Sequence, residues 1–163
     1  MSDLKIFRDD DCSHETNLQQ FAQVHELFKK YNVLHTVALI CKDIQLNPEL
    51  IKYINENNID VQVHCWEHVD FTTLDTFEIR QQLYRCCNAI QEYFNKMPTV
   101  FYPPWNKTNA NVREACELFG LTVSKTKISL SQYLAGKQGE VINFHSWSDE
   151  CNDLEAAFIK YTS

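Results

Sequence analysis

The amino-acid sequence predicts an α/β fold, in which parallel strands alternate with amphipathic helices. Six short apolar segments, several of them rich in β-branched residues, are separated by stretches whose apolar residues recur at helical spacing. The chain has 163 residues, of which 44% are hydrophobic, so it can bury the core of one domain spanning residues 1–163. A barrel and an open wound sheet both satisfy this alternation.

The first strand and helix are predicted at the start of the chain. Residues 4–7 are apolar enough to begin the sheet as a strand. The helix after it is indicated by four positions at helical spacing, which are Leu18, Phe21, His25 and Phe28. Thr16 or Asn17 is its expected N-cap, because short polar side chains accept hydrogen bonds from the first turn of a helix.

Two further strands and helices follow. Strands are predicted over residues 33–40 and 59–63, and the first of these is rich in β-branched residues. Asn47 followed by Pro48 predicts a helix that runs to residue 57, because proline suits the first helical position. The longest helix is expected over residues 73–94, whose apolar residues form one stripe.

Pro98 separates that helix from the second half of the chain. Strands are predicted there over residues 99–102, 121–124 and 141–144. Helices are predicted over residues 109–119 and, more weakly, 129–134, and Asn152 or Asp153 is the expected cap of a last helix. Gly120 is expected to end the helix before it in a left-handed conformation.

Charge and glycine content exclude two classes of binding site. The 15 basic and 22 acidic residues give a net charge of −7, which argues against a nucleic-acid partner because phosphate contacts dominate such binding. The three glycines stand in no phosphate-binding frame, so a glycine-rich nucleotide loop is excluded. No apolar run approaches the ~20 residues of a membrane helix, and we expect no membrane partner.

The seven cysteines indicate a compartment. Their number is odd and no two form a Cys-x-x-Cys pair, which argues against both a disulfide framework and a structural zinc ribbon. The first residues turn acidic without an apolar stretch behind a basic region, so we expect no signal peptide. We therefore expect a cytoplasmic protein, whose oligomeric state the sequence leaves open.

Polar side chains follow four of the predicted strands. They occupy residues 8–11, 64–68, 103–106 and 145–147, and they include three adjacent aspartates, two histidines four residues apart and a further histidine. Taken singly, these segments are ordinarily solvated turns, surface histidines or core histidines. Parallel strands, however, bring their carboxyl ends to one edge of a sheet, where such folds bind ligands. We therefore expect the four segments to form one site.

The residue types in these segments suit metal-assisted hydrolysis. Two imidazoles and a carboxylate are a typical ligand set of catalytic zinc, which keeps one position open for water. Histidines four residues apart can reach one ion when the backbone between them makes a helical turn. A neighbouring carboxylate could then deprotonate the zinc-bound water, and a histidine across the pocket could protonate a leaving group. The pattern indicates a hydrolase of an amide or ester.

The ordered segments resemble the motifs of the polysaccharide deacetylases, the NodB-homology family of metal-dependent carbohydrate esterases. The similar stretches are Phe-Arg-Asp-Asp-Asp at 7–11, His-Cys-Trp-Glu-His at 64–68, Phe-Tyr-Pro-Pro-Trp-Asn at 101–106 and Ile-Asn-Phe-His at 142–145. The resemblance implies an incomplete or irregular (β/α) barrel of about six to seven parallel strands. It also implies a divalent metal, most simply zinc, and removal of the acetyl group from an N-acetylated sugar or oligosaccharide.

The resemblance further implies roles for individual residues. The five that would carry the chemistry are Asp10 as general base, Asp11, His64 and His68 as metal ligands, and His145 as general acid. The backbone N–H of Tyr102 would stabilise the oxyanion. Asp9 with Asp10 would also form an aspartate pair, so the register of the first motif stays open.

The chain departs from the family pattern in three respects. Tyr102 stands where the third motif usually has an arginine that holds the catalytic aspartate, and Arg8 is the candidate to replace it. We find no acidic residue with a tryptophan in residues 121–140 to orient the general acid. Cys12 and Asn106 occupy positions where the family has glycine, so we expect unusual backbone geometry there.

The remaining candidate residues would contact substrate. Trp66, Trp105 and Trp147 flank three of the four segments and could form an apolar wall for a sugar ring or acetyl methyl group. Pro103 and Asn106 lie in the third segment and would line the same site. The departures favour an alternative function, namely a catalytically impaired relative that binds a glycan or a partner through this edge.

Overall fold

In the computed structural model, which describes residues 4–163, seven parallel strands form one sheet. The strands are β1 (Ile6–Cys12), β2 (His35–Ile40), β3 (Asp60–Cys65), β4 (Val100–Phe101), β5 (Thr122–Val123), β6 (Lys127–Ser129) and β7 (Val141–Phe144). The α-helices are α1 (Leu18–Tyr31), α2 (Pro48–Glu56), α3 (Thr76–Phe94), α4 (Ala110–Leu118), α5 (Leu130–Leu134) and α6 (Leu154–Thr162). Short 3₁₀ helices cover Ile44–Leu46, Phe71–Thr73, Pro104–Asn106 and Asp149–Asp153.

The sheet is curled into an incomplete barrel. Its strand order is β5-β4-β3-β2-β1-β7-β6, so β5 and β6 are its two edges. Only residues 124–126 connect these edges, and so short a segment spans at most roughly 14 Å. The two edges must therefore lie close together without pairing, which confirms the predicted incomplete barrel over an open wound sheet.

Several predicted helix boundaries are confirmed. The Asn17 side chain caps α1 by accepting from the N–H of Gln20, and Asn47 caps α2 with Pro48 in the first turn. Gly120 follows α4 with a φ of +68°, as expected of a left-handed cap. The predicted alternation of strands and helices therefore holds along the described chain.

The observed elements differ from the prediction most clearly at β1, β6 and α3. β1 continues to Cys12 instead of ending at residue 7, because its polar side chains find buried partners on both faces of the sheet. β6 was not predicted, because three residues are too few to show an alternating pattern. α3 begins three residues later than expected, where Asp75 and Glu78 form a reciprocal capping box.

Successive side chains of β1 point alternately to the helices and to the interior of the barrel. Phe7 faces the helices, and its ring lies 4.9 Å from that of Phe158 in α6. Arg8 faces the interior, where its guanidinium group lies 4.7 Å from the centre of the Tyr102 ring. By the same alternation Asp9 faces the helices and Asp10 faces the interior.

None of the described helices has the length and apolar character needed to span a bilayer.

Phe158 is expected to be a major source of stability in the helix layer. It is fully buried and packs edge-on against Phe7 and against Phe28 of α1, at ring distances of 4.9 and 4.7 Å. Phe158→Ala should lower the free energy of unfolding by about 3–5 kcal/mol, measured by urea denaturation. Phe77→Ala is the matched control, because this side chain on α3 is 68% exposed and its loss should change stability by less than about 0.5 kcal/mol.

Candidate functional site

Three of the predicted site residues meet at the carboxyl end of the sheet. Asp11 Oδ1 lies 3.0 Å from His64 Nε2 and 3.2 Å from His68 Nε2. One ligating atom from each residue can be chosen so that all three lie within 4.8 Å of one another. His64 is buried within β3, and the chain then bends to bring back His68, so the connection is a bend and not the expected helical turn. The structure thus brings together the three expected metal ligands.

An irregularity in β1 directs Asp11 to this place. The pairing of β1 with β2 shifts between Asp9 and Cys12, and Asp11 has a φ of +62°. Aspartate tolerates this left-handed conformation better than most residues, because its short side chain bonds locally. The unusual backbone expected at Cys12 is therefore found one residue earlier. Asn106 does adopt the expected left-handed conformation, with a φ of +57°.

The donor set fits a divalent cation. His64 Nδ1 lies 2.6 Å from the carbonyl oxygen of Tyr102, which can only accept, so this nitrogen carries the proton. Nε2 of a neutral His64 then turns its lone pair toward Asp11, whose Oδ1 is buried and has no hydrogen-bond partner. Two lone pairs 3.0 Å apart repel unless positive charge lies between them, supplied by protons or by a metal. Two imidazoles and one carboxylate suit zinc.

The pKa values in this cluster reflect the same need for positive charge. Burial alone would raise the pKa of Asp11, but the close imidazoles of His64 and His68 outweigh burial and hold this pKa well below its usual range. The nearby carboxylate of Asp11 in turn raises the pKa of His68. Protons and a metal ion would therefore compete for the same nitrogen atoms.

Asp10 lies in the barrel interior and is paired with Arg8. Arg8 Nε lies 2.5 Å from Asp10 Oδ1, and Nη2 lies 2.7 Å from Oδ2, which makes the pair bidentate. Lys127 Nζ approaches Asp10 Oδ2 to 3.4 Å. Burial would raise the pKa of Asp10, but the charge of Arg8 outweighs it and keeps the carboxyl ionised. Arg8 therefore forms the ion pair with the aspartate that an arginine at position 102 would form and that the neutral Tyr102 cannot.

Removal of Arg8 should destabilise the protein strongly. Arg8 and Asp10 are 0% and 2% exposed, so Arg8→Met leaves a buried carboxylate with Lys127 as its nearest cation. The free energy of unfolding should fall by about 3–5 kcal/mol in a denaturant titration. The double variant Arg8→Met/Asp10→Leu should recover part of this loss, since no charge is then left unpaired. A double variant at least as unstable as Arg8→Met would contradict the pairing.

His145 occupies the opposite side of the same cluster. Its Nε2 lies 3.5 Å from Asp11 Oδ2, and its Nδ1 is in hydrogen-bond contact with the carboxylate of Glu150 in the 3₁₀ helix Asp149–Asp153. Glu150 is thus the acidic partner of His145. It lies five residues after His145 and not in residues 121–140, where the family pattern placed it. A local signal for it existed, because Ser148 caps this helix by accepting from the N–H of Glu150.

The alternative aspartate pair and the expected role of the Tyr102 N–H lose their geometric basis. Asp9 lies on the helix-facing side of β1, where its oxygens contact His35 and the backbone N–H of Ser146, so an Asp9 and Asp10 pair does not face the histidines. The backbone N–H of Tyr102 donates to the carbonyl of Val63 at 2.8 Å within the sheet. It is therefore unavailable to a substrate oxyanion, and the expectation for Tyr102 was wrong in this respect.

The aromatic and loop residues divide between two places. Trp105 and Trp147 are each more than half exposed, and their rings lie 4.5 Å from His68 and 4.9 Å from His145. Trp66 instead packs on the hydrophobic core beside Arg85 of α3, so it does not join a wall around the site. The three tryptophans therefore do not form one surface.

The residues expected to line the substrate site face two separate cavities. One of about 440 Å³ is lined by Asp11, His68 and Trp147 together with polar residues of the loop after β1. Pro103 and Asn106 line the other, of about 580 Å³, together with residues 123–126. The expected substrate residues Pro103 and Asn106 thus face a different cavity from the candidate metal ligands.

The cysteines take no part in the site. All seven lie within the described residues and carry free thiols, and none belongs to the cluster of candidate metal ligands. Cys65 separates the two histidines in sequence but is buried in the core cluster behind β3. Burial raises the pKa of its thiol, which disfavours the thiolate that a metal would require.

Comparisons with known proteins add independent findings. A family model described as polysaccharide deacetylase matches residues 9–124. The peptidoglycan-N-acetylglucosamine deacetylase PgdA of Listeria monocytogenes is 29% identical over 91 residues, which are 56% of this chain and 20% of that protein. Chitin deacetylase 1 of Cryptococcus neoformans is 24% identical over 97 residues, which are 60% of this chain and 21% of that protein. The chain thus spans about a fifth of the length of these curated relatives.

Solved structures with the same fold include a carbohydrate esterase and a mutant of a pseudoenzyme. A family 4 carbohydrate esterase from Streptomyces lividans, solved with acetate, has a TM-score of 0.81 at 18% identity. The matched region covers 97% of this chain and 86% of the esterase chain. A mutant of a CE4 family pseudoenzyme with restored enzymatic activity has a TM-score of 0.84 at 20% identity, covering 98% and 62%. At this identity the two structures establish the fold.

Proposed function

Because the chain belongs to the polysaccharide deacetylase family, we propose that it is a metal-dependent hydrolase that removes the acetyl group from an N-acetylated sugar. The observation that carries this proposal is the meeting of Asp11, His64 and His68 beside the ionised Asp10 and beside His145. The relatives named for peptidoglycan N-acetylglucosamine and for chitin support an N-acetylated glycan as the substrate class.

Asp11, His64 and His68 would hold the metal, most simply zinc. When bound, such an ion supplies Lewis acidity, which lowers the pKa of a water molecule toward about 7 and polarises a carbonyl oxygen. Tyr102 contributes through its backbone carbonyl, which holds the Nδ1 proton of His64 and keeps the Nε2 lone pair available.

Asp10 would act as the general base. Its carboxyl group is ionised because Arg8 lowers its pKa, so it can accept a proton from the attacking water. Arg8 also fixes the direction of the carboxylate by binding both oxygens. Asp10 thus has the charge and the fixed orientation that proton abstraction requires.

His145 would act as the general acid. The amide nitrogen of the substrate leaves as an amine and needs a proton, which Nε2 of His145 can donate. Glu150 holds Nδ1 of the same ring, so it fixes the tautomer and stabilises the imidazolium form. The contact with Glu150 at Nδ1 therefore directs Nε2 of the ring toward the cluster around Asp11.

Glu150→Gln should lower kcat without affecting metal binding. The neutral amide cannot stabilise the imidazolium, so we expect a loss of about 10- to 100-fold, part of the usual contribution of a general acid. Asp149→Asn is the matched control, because it removes the same charge from the neighbouring exposed residue. Equal kcat values for Glu150→Gln and Asp149→Asn would show that Glu150 does not support His145.

Acetate release tests the proposed function directly. Purified protein would be incubated with short N-acetylglucosamine oligomers after addition of zinc, cobalt or nickel, and acetate would be measured enzymatically. We expect acetate release that a chelator abolishes and that re-added metal restores. Binding of the oligomers without acetate under every metal would contradict the proposal.

The second candidate is a relative that binds a glycan or a partner protein without turnover. The observation that favours it is the replacement of the motif arginine by Tyr102, together with the pseudoenzymes among proteins of the same fold. Affinity for the oligomers without acetate release, in protein that retains metal, would favour this candidate. The Arg8–Asp10 and Glu150–His145 pairs favour the hydrolase instead.

A further inference from the structure

A buried carboxylate joins β1 to the loop that carries His145. Asp9 is fully buried on the helix-facing side of the sheet, where an unpartnered carboxylate would be costly. One oxygen, Oδ1, accepts the backbone N–H of Ser146 at 2.9 Å. The other, Oδ2, lies 3.1 Å from His35 Nε2. Both oxygens are therefore engaged, and neither faces the candidate metal ligands.

His35 is held firmly in its place. Its ring lies parallel to that of Phe28 at 4.2 Å with an interplanar angle of 5°, and it stacks on Phe21 at 5.1 Å. Its Nδ1 lies 3.1 Å from Nδ1 of His25 in α1. The Asp9 carboxylate is thus oriented by an imidazole that is itself fixed between aromatic rings.

The facing nitrogen atoms of His25 and His35 must share one proton. Burial and the neighbouring His35 lower the pKa of His25 to about 4, so its ring is neutral near pH 7. Because Asp9 can only accept, His35 donates from Nε2, and one of the two Nδ1 atoms donates to the other. The chain of hydrogen bonds from Ser146 through Asp9 and His35 to His25 is therefore fully satisfied.

This chain ends next to the proposed general acid. Ladder pairing with β1 fixes β7 as far as Phe144, which lies opposite Asp9. His145 and Trp147 follow outside the strand, and the N–H between them is the one that Asp9 accepts. Asp9 is 137 positions away from Ser146 in the sequence, so this contact ties two distant parts of the chain at the site.

We propose that Asp9 is a positioning residue, which through the N–H of Ser146 sets the place of His145 relative to Asp11. His35 and His25 keep the Asp9 carboxylate in the orientation that this requires. The positioning of His145 by Asp9 is inferred from the contacts alone, whereas the effect of Asp9 on turnover rests on the proposed deacetylase function. A role confined to stability would lower the free energy of unfolding without moving the loop.

Amide hydrogen exchange of Ser146, followed by NMR, tests the positioning role without any need for activity. In Asp9→Ala the Ser146 N–H loses its acceptor, and we expect its exchange to become about 10-fold faster or more relative to core amides such as that of Ile142. The imidazole ¹⁵N signals of His145 should shift, because its ring moves relative to Glu150. Zinc binding should remain as in the wild type, since Asp9 contacts none of the candidate ligands.

The kinetic readout separates positioning from stability. Because small displacements of a catalytic group cost up to about 10²-fold in rate, Asp9→Ala should lower kcat strongly and leave KM within about twofold. Asp60→Ala is the matched control, since it also removes a carboxylate with two hydrogen-bond partners, here the side chains of Thr36 and Gln62, at the other end of the barrel. It should destabilise the protein and leave the Ser146 amide protected.

Asp9→Asn keeps the proposal testable if Asp9→Ala does not fold. Its amide oxygen can still accept from Ser146, while its NH₂ group must donate to His35 Nε2 and force the proton of His35 onto Nδ1. The Ser146 amide should stay protected, and the ¹⁵N signals of His35 should report the changed tautomer.

Faster Ser146 exchange in Asp9→Ala with an inactive wild type would support the positioning and refute the deacetylase. Ser146 exchange that neither variant changes, or an unaltered His35 tautomer in Asp9→Asn, would overturn the positioning.

Discussion

Asp10→Asn is expected to abolish acetate release while zinc remains bound. Asparagine has nearly the same shape as aspartate but cannot accept the proton of the attacking water, so kcat should fall by about 10³-fold. Zinc should stay because Asp10 faces Arg8 and Lys127 in the barrel interior and is not one of the three clustered ligands. Acetate release and zinc content would be measured on the same preparation.

Asp11→Asn is the matched control for this result. It makes the same chemical change one residue further along β1, where the carboxylate lies between the two histidines. We expect this variant to bind zinc weakly, in contrast to Asp10→Asn. Loss of zinc from Asp10→Asn with retention by Asp11→Asn would show that the roles of the two aspartates are reversed.

His64→Ala should remove zinc from the protein. His64 is buried and fixed by the carbonyl of Tyr102, and its loss would leave two of the three candidate ligands. Loss of a supporting contact around a metal site typically costs 10- to 100-fold in affinity, so loss of a ligand should cost more than about 100-fold. Competition with a chromogenic chelator would measure the change.

His68→Ala should weaken zinc binding in the same experiment, since His68 approaches the same oxygen of Asp11. His14→Ala serves as the control, because this histidine of the loop after β1 is outside the cluster of candidate ligands. Unchanged zinc affinity in both His64→Ala and His68→Ala would exclude the proposed metal site. A loss of zinc affinity in these two variants no larger than that in His14→Ala would also exclude the site.

The alternation of strands and helices was predictable because apolar spacing alone determines which segments face the core. The positions at which strands end were less predictable. β1 extends through residues that a hydrophobic pattern assigns to a loop, because Arg8 neutralises Asp10 inside the barrel and His35 partners Asp9 outside it. Pairing of buried charges depends on contacts between distant residues, which periodicity does not encode.

The composition of the candidate site was predictable because parallel strands collect their carboxyl ends at one edge. Its finer geometry was not. The bulge at Asp11 decides which aspartate meets the histidines, and a local break in pairing leaves no periodic trace. Glu150 was missed because the expected motif lies before His145, whereas a short helix after it supplies the carboxylate here. Tyr102 was misjudged because its N–H completes the sheet.

Titration of zinc into chelator-treated protein, with the rate of acetate release followed at each addition, tests the central claim most directly. The proposed site predicts a rate that rises in proportion to bound zinc and reaches its plateau at about one equivalent per chain, because Asp11, His64 and His68 form a single three-ligand site. A rate that stays at background while one equivalent of zinc binds would contradict the deacetylase, and acetate release without bound metal would contradict the metal-dependent mechanism.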